Sequence, residues 1–378
     1  MGKNIAIICE FNPLHNGHKA ILSRARELGG TVVAIMSGNF TQRSIPSVYD
    51  KYKRAEAALR CGADAVFELP FPWCSGGAEF FALGAVNIAT SLGLTDFIFG
   101  SETGELSHVE RAAELLDSRE LTDVLADEAP KELGAAAAYD KALQKYGISL
   151  GSNDKLAVEY LRAARRIGED ARFTAYKRMT DQSVYRSASD LRSMLELGED
   201  VTFFVPEEVR ELYKETDLWH GKFEEILFEY FRMCRETPRG IFDADGGVTE
   251  RLMRAAANAE RAECFFSLAD TKKYTSSRLR RAALFSYLGV DREAVSSRPE
   301  FTVLLALNER GRAFLSEVRK TKSIEVLVKP SAPQMLSERG ALQYELWKRA
   351  DELYALCMRR GVKRGEFLRR SPTVIADL

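Results

Sequence analysis

Along the first 200 residues, hydrophobic positions alternate between two periods. Ile5-Ala6-Ile7-Ile8-Cys9 is a continuous apolar run, the pattern of a strand buried on both faces. A loop with Asn12, Pro13 and Asn16-Gly17 follows, then helical spacing from about His18 to Leu28, closed by Gly29-Gly30. Thr31 to Met36 predicts a second strand, Tyr49 to Cys61 a helix stopped by Gly62, and Ala65 to Leu69 a third strand stopped by Pro70. Phe80 to Leu92 reads as helix and Phe97 to Phe99 as a fourth strand. Strand and helix alternating at this spacing predict βαβ units, hence an α/β, Rossmann-like parallel sheet covered by helices. Such sheets hold ligands at the carboxyl ends of their strands.

From Glu105 to Gly168 the spacing is mainly helical, and Arg172 to Tyr176 predicts another strand before a helix starting near Ser189. After about Pro206 helical patterns dominate, including Phe223 to Cys234, Thr249 to Ala262 and Ser276 to Leu288. Val303 to Leu307 and Ile324 to Lys329 are candidate short strands. The expected division is a nucleotide-binding domain over residues 1–200 and a mainly helical domain over 201–378.

The composition is that of a soluble globular chain, with 46% apolar and 29% charged residues. No apolar stretch approaches the roughly 20 residues of a membrane span, and the start has no signal-peptide pattern, so a cytoplasmic location is expected. The six cysteines have no CxxC pair and no zinc spacing, which predicts reduced, packed thiols and no metal site. Net charge is -1, but residues 201–378 carry 31 basic against 27 acidic side chains, which permits a basic patch there.

Only four histidines occur, and His15 and His18 stand together just after the first strand, at the start of a helix. A helix N-terminus attracts phosphate through unpaired N–H groups and its dipole. Gly17 lets a ligand approach the backbone, and Pro13 stiffens the entry. Two imidazoles donating to phosphoryl oxygens stabilise the charge that grows at an α-phosphate under attack. His108 and His220 are expected to be structural, and Lys51 and Arg54 to be solvated on their helix. Arg43, just after the second strand, is a further candidate. No GxxxxGK[ST] loop is present.

His15-Asn16-Gly17-His18 resembles the HxGH signature of the nucleotidyltransferase superfamily. The longer segment Cys9-Glu10-Phe11-Asn12-Pro13-Leu14-His15-Asn16-Gly17-His18 resembles the "EYNPFHNGH" opening of the tRNA(Met) cytidine acetate ligase family. Met36-Ser37-Gly38-Asn39-Phe40-Thr41-Gln42-Arg43, Glu68-Leu69-Pro70-Phe71 and Phe99-Gly100-Ser101-Glu102 match that family in order and spacing. The resemblance implies that acetate is joined to AMP using ATP, and that the acetyl group passes to N4 of the wobble cytidine of elongator tRNA(Met). It implies catalytic roles for His15 and His18 and an ATP site over Ile8, Cys9, Glu10, Phe11, Asn12, Pro13, Leu14, His15, Asn16, Gly17, His18, Lys19, Ala20 and Ile21. It extends that site to Gly100, Asn153 and Arg178. The stretch Ser187-Ala188-Ser189-Asp190-Leu191-Arg192 resembles the superfamily's phosphate-binding helix start, which adds Ser189 and Arg192; the plain alternative there is an N-cap with an exposed Arg. The chain departs from the family where "RISSDYHD" is replaced by Arg178-Met179-Thr180-Asp181-Gln182. Magnesium is expected to accompany ATP, although no metal cage is visible.

Residues 271–290 hold five basic side chains and no acidic one. Lys272, Lys273, Tyr274, Arg278 and Arg281 suit a phosphate backbone with a stacked base, and the segment resembles the family's "KRYTWTRLQR". Two rival readings are a small-molecule (cofactor) adenylyltransferase without an RNA partner and a non-catalytic nucleotide- or RNA-binding protein.

Overall fold

The computed structural model describes residues 3–118, 135–179, 185–244, 247–331, 333 and 336–376; Thr180, Asp181 and Gln182 lie outside them, as does part of the stretch expected to be helical after Glu105. Five parallel strands build the first half: β1 (Ile5–Cys9), β2 (Val32–Ser37), β3 (Ala65–Leu69), β4 (Asp96–Ser101) and β5 (Arg172–Lys177), in the order β5-β4-β1-β2-β3. β2 and β3 are buried throughout, which accounts for their unbroken apolar runs. The order reverses between β1 and β4. That reversal opens a crevice at their carboxyl ends, where an open α/β sheet binds ligands.

The first helix, α1 (Asn16–Glu27), begins two residues before the start expected from hydrophobic spacing, because His15 caps it in an extended conformation with φ -135°. The next, α2 (Lys51–Arg60), is capped by Asp50, whose carboxylate accepts from Tyr52 N and Lys53 N at 2.8 and 3.1 Å. Helices Ala78–Ser91 and Ser152–Ile167 pack together against the sheet.

The sheet continues across residue 200. β6 (Phe301–Leu307) pairs antiparallel with β3, and β7 (Glu325–Leu327) and β8 (Thr373–Val374) pair parallel with β6. Helices Lys222–Met233, Val248–Asn258, Ser276–Leu288 and Glu338–Leu356 complete the second half.

Lys51 and Arg54 are fully buried, contrary to the solvated placement expected of them. Lys51 Nζ donates to both oxygens of Glu68 at 3.0 and 2.9 Å and to Asp351 at 2.7 Å. Asn39 and Trp347 complete this network through Asp351 and Glu68. Arg54 donates to the carbonyls of Tyr49, Glu10, Ser37 and Gly38, and so ties together the loops after β1 and β2. A buried guanidinium is tolerated only with such full pairing.

Candidate active site

The crevice at the carboxyl ends of β1 and β4 holds a cleft of about 530 Å³. Its floor is Ile8, Cys9, Glu10, Phe11 and Asn12, where the chain leaves β1; Phe11, at φ 48°, turns it in the left-handed region. His15 and His18 stand at the end of this turn with their rings stacked, centroids 3.7 Å apart. His15 Nδ1 accepts from Gly17 N at 3.1 Å, and His18 Nδ1 accepts from His15 N at 3.3 Å. With both Nδ1 atoms accepting, each neutral ring carries its proton on Nε2. Burial, and then the Arg178 charge, lowers His15 to about 3; burial, His15 and Arg178 hold His18 well below the usual range. The pair is thus two neutral Nε2–H donors, and His15 Nε2 is buried with no acceptor among the described residues. A Cβ on Gly17 would sit 3.0 Å from His15 Cε1, so this position keeps the ring in place by having no side chain.

The opposite wall comes from later segments. Gly100 is the next-to-last residue of β4, where a Cβ would meet Ile21 Cδ1 at 3.0 Å and Arg178 Cγ at 3.3 Å. Arg178 lines the cleft, its backbone N–H fixed to Ser101 O at 2.9 Å. Asn153 also lines it, but its backbone and side-chain N–H groups donate to Glu102 at 3.0 and 2.7 Å, and Asp154 N donates to the same carboxylate. The positive end of helix Ser152–Ile167 is therefore engaged by an internal carboxylate. Ser187 caps helix Ala188–Glu196 by accepting from Asp190 N, which leaves Ser189 and Arg192 on the cleft wall. Arg192 is not the exposed residue of the plain N-cap alternative: it donates to Asn12 O at 2.8 Å, joining this helix to the floor.

Five residues of the expected ATP segment do not line the cleft. Leu14 is fully buried, Asn16 N bonds Phe204 O, and Lys19 pairs with Glu208. Pro13 and Ala20 also lie away from it. Conversely, Thr41, Gln42, Phe81, Glu102, Lys155 and Tyr160 line the cleft without having been singled out, and Arg43 joins them. Gln42 and Glu102 sit in motifs already recognisable in the sequence; Phe81 and Tyr160 were hidden among ordinary helix-core positions.

The basic segment is placed differently from expectation. Tyr274 is buried, with Lys273 and Arg278 over its ring at 5.3 and 5.5 Å, so its face is not open to a base. Arg281 is buried and paired with Asp243, and Arg280 pairs with Glu224. Lys272 and Lys273 are exposed, and Arg278 is half-buried.

A parallel sheet with a topological switch, and a neutral histidine pair at the N-terminus of the helix after its first strand, define a nucleotidyltransferase of the HxGH class. The HIGH nucleotidyl transferase family matches residues 2–367. The chain belongs, within that class, to the tRNA(Met) cytidine acetate ligase family. It is 33% identical over 369 residues to the tRNA(Met) cytidine acetate ligase of Thermotoga petrophila, covering 88% of each chain. It is 32% identical over 357 residues to that of Syntrophotalea carbinolica, covering 85% of this chain and 84% of the other. The fold superimposes on the crystal structure of Thermotoga maritima TmcAL bound with alpha-thio ATP with a TM-score of 0.92 at 29% identity, covering 99% of this chain and 100% of that one. No helix among the described residues is long and apolar enough to cross a membrane.

Proposed function

We propose that this protein activates acetate with ATP and transfers the acetyl group to N4 of the wobble cytidine of elongator tRNA(Met), in the cytoplasm. The observation that carries the reading is the pair of neutral Nε2–H donors at the switch-point crevice. Family membership supports the choice of acid and of tRNA.

In the first step a carboxylate oxygen of acetate attacks the α-phosphorus of ATP and pyrophosphate leaves. His15 and His18 donate to the oxygens on which negative charge grows. They were desolvated and oriented when the protein folded, so they reorganise little during reaction. Arg178, Arg192 and Ser189 hold the departing pyrophosphate, two of them as permanent cations. In the second step the cytidine amine attacks the acetyl carbonyl and AMP leaves. Among the described residues no group of three His, Cys, Asp or Glu side chains could hold a metal. Magnesium, if it accompanies ATP, would be carried chiefly by the triphosphate oxygens.

The test is transfer of labelled acetate to an elongator tRNA(Met) transcript with ATP, mapped to its nucleotide. Label at N4 of the wobble cytidine, lost when that base is replaced by uridine, is the expected result. Label that survives the replacement, or no label with any tRNA, overturns the reading.

A further inference from the structure

The second step must lose a proton. The exocyclic amine of cytidine is conjugated with its ring and is a weak nucleophile. As its C–N bond to the acetyl carbon forms, the nitrogen becomes strongly acidic and needs an acceptor. We propose, on the acetate-ligase reading given above, that Glu10 is this acceptor and acts as the general base of acetyl transfer.

The other ionisable groups on the cleft wall are each unfit. His15 and His18 have Nδ1 occupied by backbone N–H groups and Nε2 already protonated, so neither offers a free lone pair. Glu102 accepts three N–H groups at the start of helix Ser152–Ile167. Burial pulls its carboxyl up, yet those hydrogen bonds hold it below the usual range. Burial raises the Cys9 thiol and the Tyr160 phenol well above their ordinary values, so both keep their protons. The arginines and Lys155 are donors only.

Glu10 remains, and its setting is that of a held base. It follows β1 directly and lines the cleft one residue before the turn at Phe11. Among the described residues one oxygen, Oε1, receives a hydrogen bond, from Gln42 N at 2.6 Å. Oε2 keeps its lone pairs. Arg54 grips the Glu10 carbonyl from beneath, and Arg192 grips that of Asn12 two residues on. The backbone on either side of the carboxylate is therefore fixed. Burial raises the Glu10 carboxyl, against the opposing Gln42 hydrogen bond and the charges of Arg192, Arg54 and Arg43, which makes it a better proton acceptor than an exposed carboxylate.

The step balances. The N4 lone pair forms the C–N bond, and the bond from the acetyl carbon to the phosphate oxygen breaks. AMP leaves with that oxygen and its electron pair, and one N4 proton passes to Glu10 Oε2.

The test compares the two half-reactions in wild type and Glu10→Gln: acetate-dependent exchange of pyrophosphate into ATP, and single-turnover transfer from preformed acetyl-adenylate to tRNA. Glu10→Gln is expected to slow transfer by about 10² to 10⁴, the ordinary worth of a general base; exchange, read at saturating ATP because Glu10 also lines the ATP cleft, falls by a smaller factor. The rising limb of the wild-type transfer rate with pH should vanish in the variant, and Glu10→Asp should restore part of the rate. An equal loss in both half-reactions, or an unchanged transfer rate, overturns the assignment. If Glu10→Gln does not fold by thermal melting, the wild-type profile decides: a limb of unit slope supports the base, and a flat profile overturns it. Absence of acetate-dependent exchange in the wild type is a different result, which removes the acetate-ligase reading itself and this assignment with it.

Discussion

The His15 backbone N–H donates to His18 Nδ1 while His15 Nδ1 accepts from Gly17 N, so the two stacked rings are locked into the same tautomer. Burial, helped by Arg178, keeps His15 neutral with its pKa lowered to about 3. In the unfolded chain an imidazole titrates near 6.5, so below that pH the unfolded state binds a proton that the folded state refuses. The stabilising contribution of a neutral His15 is complete above about pH 6.5 and falls as pH drops, by roughly 1.4 kcal/mol per unit. Urea unfolding at pH 7 and pH 5 should show this loss, and His15→Gln should remove about one proton's worth of the slope. An unchanged slope in the variant would contradict a buried neutral His15.

Gly17 contributes geometry rather than stability. Alanine there favours helix intrinsically, but its Cβ would lie 3.0 Å from His15 Cε1 and 3.1 Å from Nδ1. Gly17→Ala should keep the melting temperature within a few degrees and lower the adenylation rate by about 10- to 100-fold, since small displacements of a catalytic group are costly. Equal rates for the two proteins would show that the ring has room to move.

Lys51, Glu68 and Asp351, all buried, join the nucleotide-binding sheet to the late helix Glu338–Leu356. Burial raises Glu68 to about 7 and raises Asp351, each opposed by Lys51. Lys51→Ala strands two carboxylates and should cost about 3–5 kcal/mol in chemical denaturation. Adding Glu68→Gln should recover part of that loss, because one of the stranded charges is gone. A double variant no more stable than Lys51→Ala would deny the coupling.

The basic segment divides into an exposed part and a packed part. Lys272 and Lys273 are exposed, whereas Arg281 is buried against Asp243. If this face meets tRNA phosphates, Lys272→Ala and Lys273→Ala should weaken tRNA binding and each reduce the slope of log affinity against log salt by about 1. Arg281→Ala should act on stability instead, seen as a lower melting temperature. Filter binding across a salt series separates the two effects, and an unaltered salt slope in both lysine variants would remove this face from the interface.

The strands and the histidine pair were legible because each is a local pattern. An apolar run of five residues marks β1, and two imidazoles flanking Gly17 mark the turn after it. The fate of Lys51 was not legible. Its helix has the polar spacing of a surface element, and its partners stand 17 and 300 residues away. Arg54 misled in the same way, since carbonyls leave no trace in side-chain patterning. The antiparallel addition of β6 to β3 joins residues more than 230 apart, a pairing that hydrophobic periodicity does not report. Tyr274 and Arg281 form a basic-aromatic pattern, yet tertiary packing turns both inward. Only Lys272 and Lys273 keep the exposure that pattern suggested.

Acyl-adenylate chemistry at the histidine pair is tested most directly by acetate-dependent exchange of labelled pyrophosphate into ATP by the wild type and by His18→Ala. The expected result is exchange that requires acetate and falls by about 100-fold or more in the variant, the usual effect of losing one preorganised donor. Exchange that is absent with acetate in a protein that still binds ATP, or that survives His18→Ala undiminished, would contradict it.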